Sequence, residues 1–305
     1  MRHRRHVRIA PVLLVLALPF AVASPTSAGP YREYELKFTG EAPPPLGASP
    51  GDAELFNTIA WLMGNKLDLP FPAVTKAYIY VNEATLVDGL VTLGGEKSDE
   101  AWDRWRNASG VATRNGVFLR GDHMAGMPLK GKAGLFAHEL THVSQRKLRE
   151  GGKRFAAVWI VEGHADWVKF QVGDMLGYRP YAESREHVAR TVLGSSTPLK
   201  LFPDLQTLSG TPNWTDWTRK TGAVTTYCQA FLAVDWLIER YGRAKLVEFM
   251  GRFALDSAPG ENWSTTYPIP YRQFTDEFRA RLEDLGRAMP PAAGGSLAAS
   301  RPSCD

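Results

Sequence analysis

Two periodicities divide the chain. Up to about residue 120 the apolar positions fall in short extended runs, 31–38, 77–81 (Ala-Tyr-Ile-Tyr-Val) and 116–120 (Gly-Val-Phe-Leu-Arg). These read as strands, the last following a turn at Asn115-Gly116. One helix interrupts them: Asp52 can cap a segment running to about residue 64, with Leu55, Ile59 and Leu62 on one face. From Lys132 onward apolar residues recur at three- and four-residue intervals, which predicts helices over roughly 132–149, 155–172, 222–241, 243–253 and 271–286. Strands first and helices afterwards predict an α+β fold, with a small N-terminal mixed β-sheet followed by a mainly helical C-terminal subdomain.

Polar and breaker-rich stretches frame this unit. Residues 40–51, with Pro43, Pro44 and Pro45, read as a linker, so 29–51 forms an N-terminal segment ahead of a folded unit over 52–286 whose halves meet near residue 150. Residues 287–305, rich in Pro, Ala, Gly and Ser, lack the apolar content to fold and read as a disordered tail. Residues 1–28 have the form of a secretory signal. Arg2, Arg4, Arg5 and Arg8 precede an apolar run from 9 to 22, and small residues at Ala23 and Ala28 suit cleavage. The protein is therefore expected to be exported and secreted. No other stretch approaches the roughly 20 apolar residues of a membrane span, so stable membrane insertion is not expected.

Charge changes the picture once the signal is set aside. Its four arginines account for the whole excess of 36 basic over 32 acidic side chains, which removes the case for a nucleic-acid partner. The two cysteines, Cys228 and Cys304, would share an oxidising compartment. Nothing in their spacing sets the geometry a disulfide needs, so no bridge is expected.

The chemistry sits in two adjacent helical segments. Residues 138–142 read His-Glu-Leu-Thr-His. Residues four apart on a helix are offset by about 40°, so His138 and His142 project together and can bind one metal ion. Glu139 lies beside them, in reach of a water activated by that metal without being a ligand. Chance alone would produce this pattern in about one chain in a hundred, so the second segment matters. There Trp-Ile-Val-Glu-Gly-His-Ala-Asp-Trp spans 159–167, and Glu162 follows His142 by 20 residues. That is enough for the first helix to end near Gly151-Gly152 and for the second to return antiparallel, bringing a carboxylate opposite the imidazoles. Asp166, one turn after Glu162, can accept the remaining ring N–H of a ligand histidine. Gly163 weakens its helix by roughly 1 kcal/mol relative to alanine, and close approach of the two motif helices would compensate.

Together these residues resemble the gluzincin peptidases, the thermolysin-like superfamily, and are most similar to peptidase MA-like exported proteins and plant basic secretory proteins. The resemblance covers about 115–285. It implies a zincin-like catalytic domain, a Zn2+ ion on His138, His142 and Glu162, general-base catalysis by Glu139 and hydrolysis of peptide or protein substrates. A later helix bearing a tyrosine is also similar, echoed by Thr226-Tyr227-Cys228-Gln229 and Glu239-Arg240-Tyr241-Gly242. A metzincin would carry Gly and His three and six residues after His142, where Gln145 and Leu148 stand. The Gly-x-Met-Glu-Asn element of gluzincin aminopeptidases is absent as well, so an endopeptidase is expected.

The remaining candidates are more evenly balanced. Tyr227 lies in the stripe Val224, Tyr227, Phe231, Val234, Ile238, and is equally readable as core or as a donor to a developing oxyanion. His123 and His187 are weaker alternatives for that donor. His164 sits about 200° around the helix from Glu162 and should face away from the metal as a packing or surface histidine. Trp214 and Trp217 read as packing residues that could line a cleft. Two other functions fit the same motif: an exported binding or cell-surface protein with a structural zinc, or a zinc hydrolase of a non-peptide substrate.

Overall fold

The computed structural model describes residues 29–38, 40–105, 108–288 and 304. The signal segment 1–28 lies outside the described residues, as does the tail beyond Ala288 apart from Cys304. The fold is α+β. Strands β1 (Tyr31–Lys37), β2 (Val74–Tyr80), β3 (Gly110–Thr113) and β4 (Gly116–Arg120) form one sheet in the order β1-β2-β4-β3. It is mixed: β1 pairs antiparallel with β2, β2 parallel with β4, and β3 and β4 make an antiparallel hairpin with Thr113 opposite Gly116. The segment before the proline-rich stretch thus belongs to the sheet.

Alternation along the strands explains how the sheet is covered. Ala77, Ile79, Val117 and Leu119 face the main core, where Phe56 of helix α1 (Asp52–Asn65) stacks on Phe136 with ring centroids 3.7 Å apart. Tyr78, Tyr80, Val111 and Phe118 face the opposite way and pack on Leu86 and Leu90 of α2 (Glu83–Thr92). Both faces being buried, β2 carries almost no polar alternation. The four-residue β3 was not expected, because Gly-Val-Ala-Thr is too short to display a period. The hairpin loop is Arg114-Asn115, one residue earlier than the turn the sequence suggested. Gly116 instead begins β4 at φ +144°, where an added Cβ would lie 2.3 Å from the Lys76 carbonyl oxygen.

After α3 (Ser98–Trp105) and the short α4 (Gly121–Ala125), the chain is helical. The centre is formed by α5 (Leu129–Leu148), α6 (Val158–Met175) and, after α7 (Tyr181–Leu193) and α8 (Thr211–Thr221), by α9 (Tyr227–Tyr241). The outer helices α10 (Arg243–Gly251), α11 (Pro259–Thr266) and α12 (Tyr271–Ala288) complete the shell. The helix expected over 222–241 is broken. Gly222 has φ +83°, residues Ala223–Thr225 form a 3-10 turn, and α9 begins at Tyr227.

Two expectations are corrected here. Gly163 does face a close neighbour, but the neighbour is α9 and not α5. An added Cβ would fall 2.3 Å from the Ala230 carbonyl oxygen and 2.8 Å from a Val234 methyl. Cys228, in the first turn of α9, is disulfide-bonded to Cys304. Sequence spacing could not reveal this, because the bridge depends on where the chain end lies in space, and 76 residues separate the partners.

Gly163→Ala should lower the melting temperature. Its gain of about 1 kcal/mol in helix propensity is outweighed by an overpacking cost of about 1–3 kcal/mol against backbone that cannot move aside. A thermal melt equal to or above that of the parent would contradict the close packing of α6 on α9. Cys304→Ser should cost about 2–5 kcal/mol in urea unfolding, and should abolish any response of the midpoint to reductant.

Candidate metal centre

Helices α5 and α6 build the site by running antiparallel. His138 reaches Asp166, and further along Gln145 reaches Val161 and His164, so positions that ascend on one helix meet positions that descend on the other. Between these contacts His138, His142 and Glu162 bring their donor atoms within 4.8 Å of one another. Among the described residues this is the group of His, Cys, Asp and Glu side chains that could hold a metal ion.

The separations carry the chemical meaning. His138 Nε2 lies 3.2 Å from His142 Nε2. Glu162 Oε2 lies 3.3 Å from the first nitrogen and 3.6 Å from the second. Ligands about 2.0–2.1 Å from a tetrahedral zinc are about 3.3 Å from each other. Each ring also turns its Nδ1 towards an oxygen: Asp166 Oδ1 at 3.0 Å for His138, and Gln145 Oε1 at 2.8 Å for His142. An imidazole that donates from Nδ1 offers a lone pair at Nε2 when neutral. Two nitrogen lone pairs and a carboxylate oxygen therefore converge, and the donor set fits zinc in number, type and spacing. His138, His142 and Glu162 retain 14, 15 and 18% side-chain exposure, so the group is not sealed by protein.

Electrostatics point the same way. Burial alone would lower the pKa of His138, but its hydrogen bonds to Asp166 and Glu162 raise it to about 10. His142 is likewise raised, with Glu162 overcoming burial. Glu162 is lowered: burial opposes ionisation, while both histidines favour it more strongly. Asp166, almost fully buried, is lowered against burial by Lys169 and His138, and Lys169 Nζ lies 3.1 Å from it. Acidic groups at the centre thus attract positive charge, whether protons or a metal ion.

Glu139 is buried and points to the edge of the sheet. It accepts a hydrogen bond from the Ala112 backbone N–H in β3, and burial raises its pKa above the usual carboxylate range against the pull of His138 and His142. The Ala112 carbonyl accepts from Arg146 Nη2 at 2.8 Å, so α5 grips both sides of this residue. At Gly110 an added Cβ would lie 2.8 Å from Glu139 Cγ, so the missing side chain makes room for the carboxylate.

No family model, curated protein or solved structure matches this chain. The site therefore stands on its own geometry.

The other candidates separate in space. Tyr227 borders the centre, with its ring centroid 6.3 Å from that of His138, and packs edge-on against Trp214 at 4.9 Å. Burial raises the pKa of its phenol, so it stays protonated. Trp217 is partly buried against the core. His123 is tied to Ser109 Oγ at 2.9 Å, and His187 lies on α7; neither joins the converging donors. His164 is fully buried and outside the donor group, but it does not turn away from α5: its Nδ1 lies 3.2 Å from Gln145 Nε2, and burial lowers its pKa to about 3. Gln145, Lys169 and Gly110 were missed. Gln145 and Lys169 each lie three residues from a recognised residue on the same helix, a spacing that could have revealed them. Gly110 had no such signal.

Zinc should bind the full chain at unit stoichiometry, and Glu162→Gln should weaken binding by at least about 10-fold. Protons compete for the same nitrogens, and His138 is raised to about 10 in the metal-free protein, so apparent affinity should rise with pH through neutrality. Titration against a chromophoric chelator at several pH values checks both; equal affinities for the parent and the variant would exclude Glu162 as a ligand.

Proposed function

We propose that this protein is an exported zinc-dependent metallopeptidase, with His138, His142 and Glu162 as metal ligands and Glu139 as general base. The observation that carries the reading is the convergence of three metal-ligating side chains, His138, His142 and Glu162, beside the buried carboxylate of Glu139. Three protein donors with residual solvent access are the pattern of a catalytic zinc, whereas a structural zinc is closed by four. A carboxylate as third ligand, 20 residues after His142, is also what the gluzincin resemblance implies.

When bound, zinc supplies Lewis-acid polarisation of a carbonyl and acidifies water. The chain's own residues do the rest. Glu139, made more basic by burial, accepts the proton of the attacking water and passes it to the leaving amine. The Ala112 backbone N–H beside that carboxylate favours its ionised form. Tyr227, kept protonated at the border of the site, is the candidate donor to the developing oxyanion. Asp166 holds His138 in the tautomer that presents Nε2.

Strand β3 borders the site. This strand is an edge of the sheet, paired only with β4, and it runs beside Glu139. Its outward carbonyl at Ala112 already accepts from Arg146 of α5, so the substrate class rests on the gluzincin resemblance, which implies peptide or protein substrates.

Glu139→Gln keeps the size of the side chain and removes its basicity. The variant should retain zinc and lose about 10²- to 10⁴-fold in turnover of a broad peptide library. Undiminished cleavage would remove Glu139 from the mechanism. A zinc-loaded parent that leaves every peptide intact would refute the peptidase assignment.

A further inference from the structure

Gln145 makes three contacts that nothing in the catalytic scheme uses. Its Oε1 lies 2.8 Å from His142 Nδ1, and its Nε2 lies 2.8 Å from the Val161 carbonyl oxygen and 3.2 Å from His164 Nδ1. The side chain is buried, so none of these contacts is readily exchanged for water. The direction of the carboxamide is dictated by one of them. The Val161 carbonyl can only accept, so the amide NH₂ must face it; a flipped side chain would set two carbonyl-type oxygens 2.8 Å apart. With NH₂ towards Val161, Oε1 faces His142, and the ring must carry its proton on Nδ1. In the neutral ring Nε2 is then left as a lone pair, pointed at His138 Nε2 and Glu162 Oε2.

We propose that Gln145 is the positioning residue of the metal centre, selecting the ligating nitrogen of His142 and setting the distance of the Glu162 helix from it. The inference rests on the reading of His138, His142 and Glu162 as metal ligands. Val161 is the residue immediately before Glu162, so one side chain ties a histidine ligand to the backbone that carries the carboxylate ligand. His164 serves as the anchor for the second amide proton. It accepts at Nδ1, which leaves its buried Nε2–H without a hydrogen-bond partner among the described residues. His138 is oriented by a different device, the carboxylate of Asp166, so the two rings are held independently.

The test compares zinc binding in the parent and in Gln145→Met, which preserves bulk and removes every hydrogen bond, alongside the melting temperature of each metal-free protein. The variant should bind zinc about 10- to 100-fold more weakly while keeping its helical circular dichroism. Unchanged affinity with a lowered melting temperature would make Gln145 a merely structural link and overturn the inference. A parent that itself fails to bind zinc would instead sink the metal-site reading. A second measurement needs no variant: ¹H–¹⁵N correlation spectra of the zinc-loaded parent should show His142 metallated at Nε2 and protonated at Nδ1. Metallation at Nδ1 would overturn the proposal even if Gln145→Met does not fold.

Discussion

Lone pairs aimed at a common point repel one another, and the packing of α5 against α6 imposes that arrangement on three side chains at once. Two imidazole nitrogens 3.2 Å apart, with a carboxylate oxygen 3.3 Å from one of them, are favourable only when positive charge lies among them. In the metal-free protein protons meet this need, which is why both rings are held more basic than an ordinary histidine. A divalent cation would meet it better, since one ion satisfies all three donors.

The geometry holds because each participant is fixed from behind. Asp166 and Gln145 lie one step outside the donors, and Lys169 in turn holds Asp166. Beyond them α6 is wedged between α5 and α9, approaching α9 so closely at Gly163 that a methyl group would meet the Ala230 carbonyl. The disulfide from the first turn of α9 to Cys304 adds a covalent tie directly after Tyr227. Rigidity of this kind is what a preorganised site requires, because a ligand set that relaxed would lose the convergence.

The same helix couples the metal centre to the sheet. Ala112 is flanked by Glu139 at its N–H and by Arg146 at its carbonyl, so α5 contacts β3 on both sides of this residue. The absence of a side chain at Gly110 completes this fit by vacating the volume that the carboxylate occupies.

The local part of this design was legible in the residues themselves. Helical spacing puts His138, Glu139 and His142 on neighbouring faces of one turn, and it puts Glu162 and Asp166 on one face of the next helix, because the 3.6-residue period depends on the backbone alone. The strands at 31, 77 and 116 and the helices that became α1, α5, α6, α9, α10 and α12 followed from the same periodicities, whereas α2, α3, α4, α7, α8, α11, β3 and the break before Tyr227 did not register. Tertiary structure decided everything that joins segments distant in the chain. It determined that Gly163 opens onto α9, that Gln145 reaches across to Val161 and His164, that Gly110 faces Glu139, and that Cys304 returns to Cys228. Periodicity records which side of an element is apolar, but which other element covers that side depends on how the whole core packs.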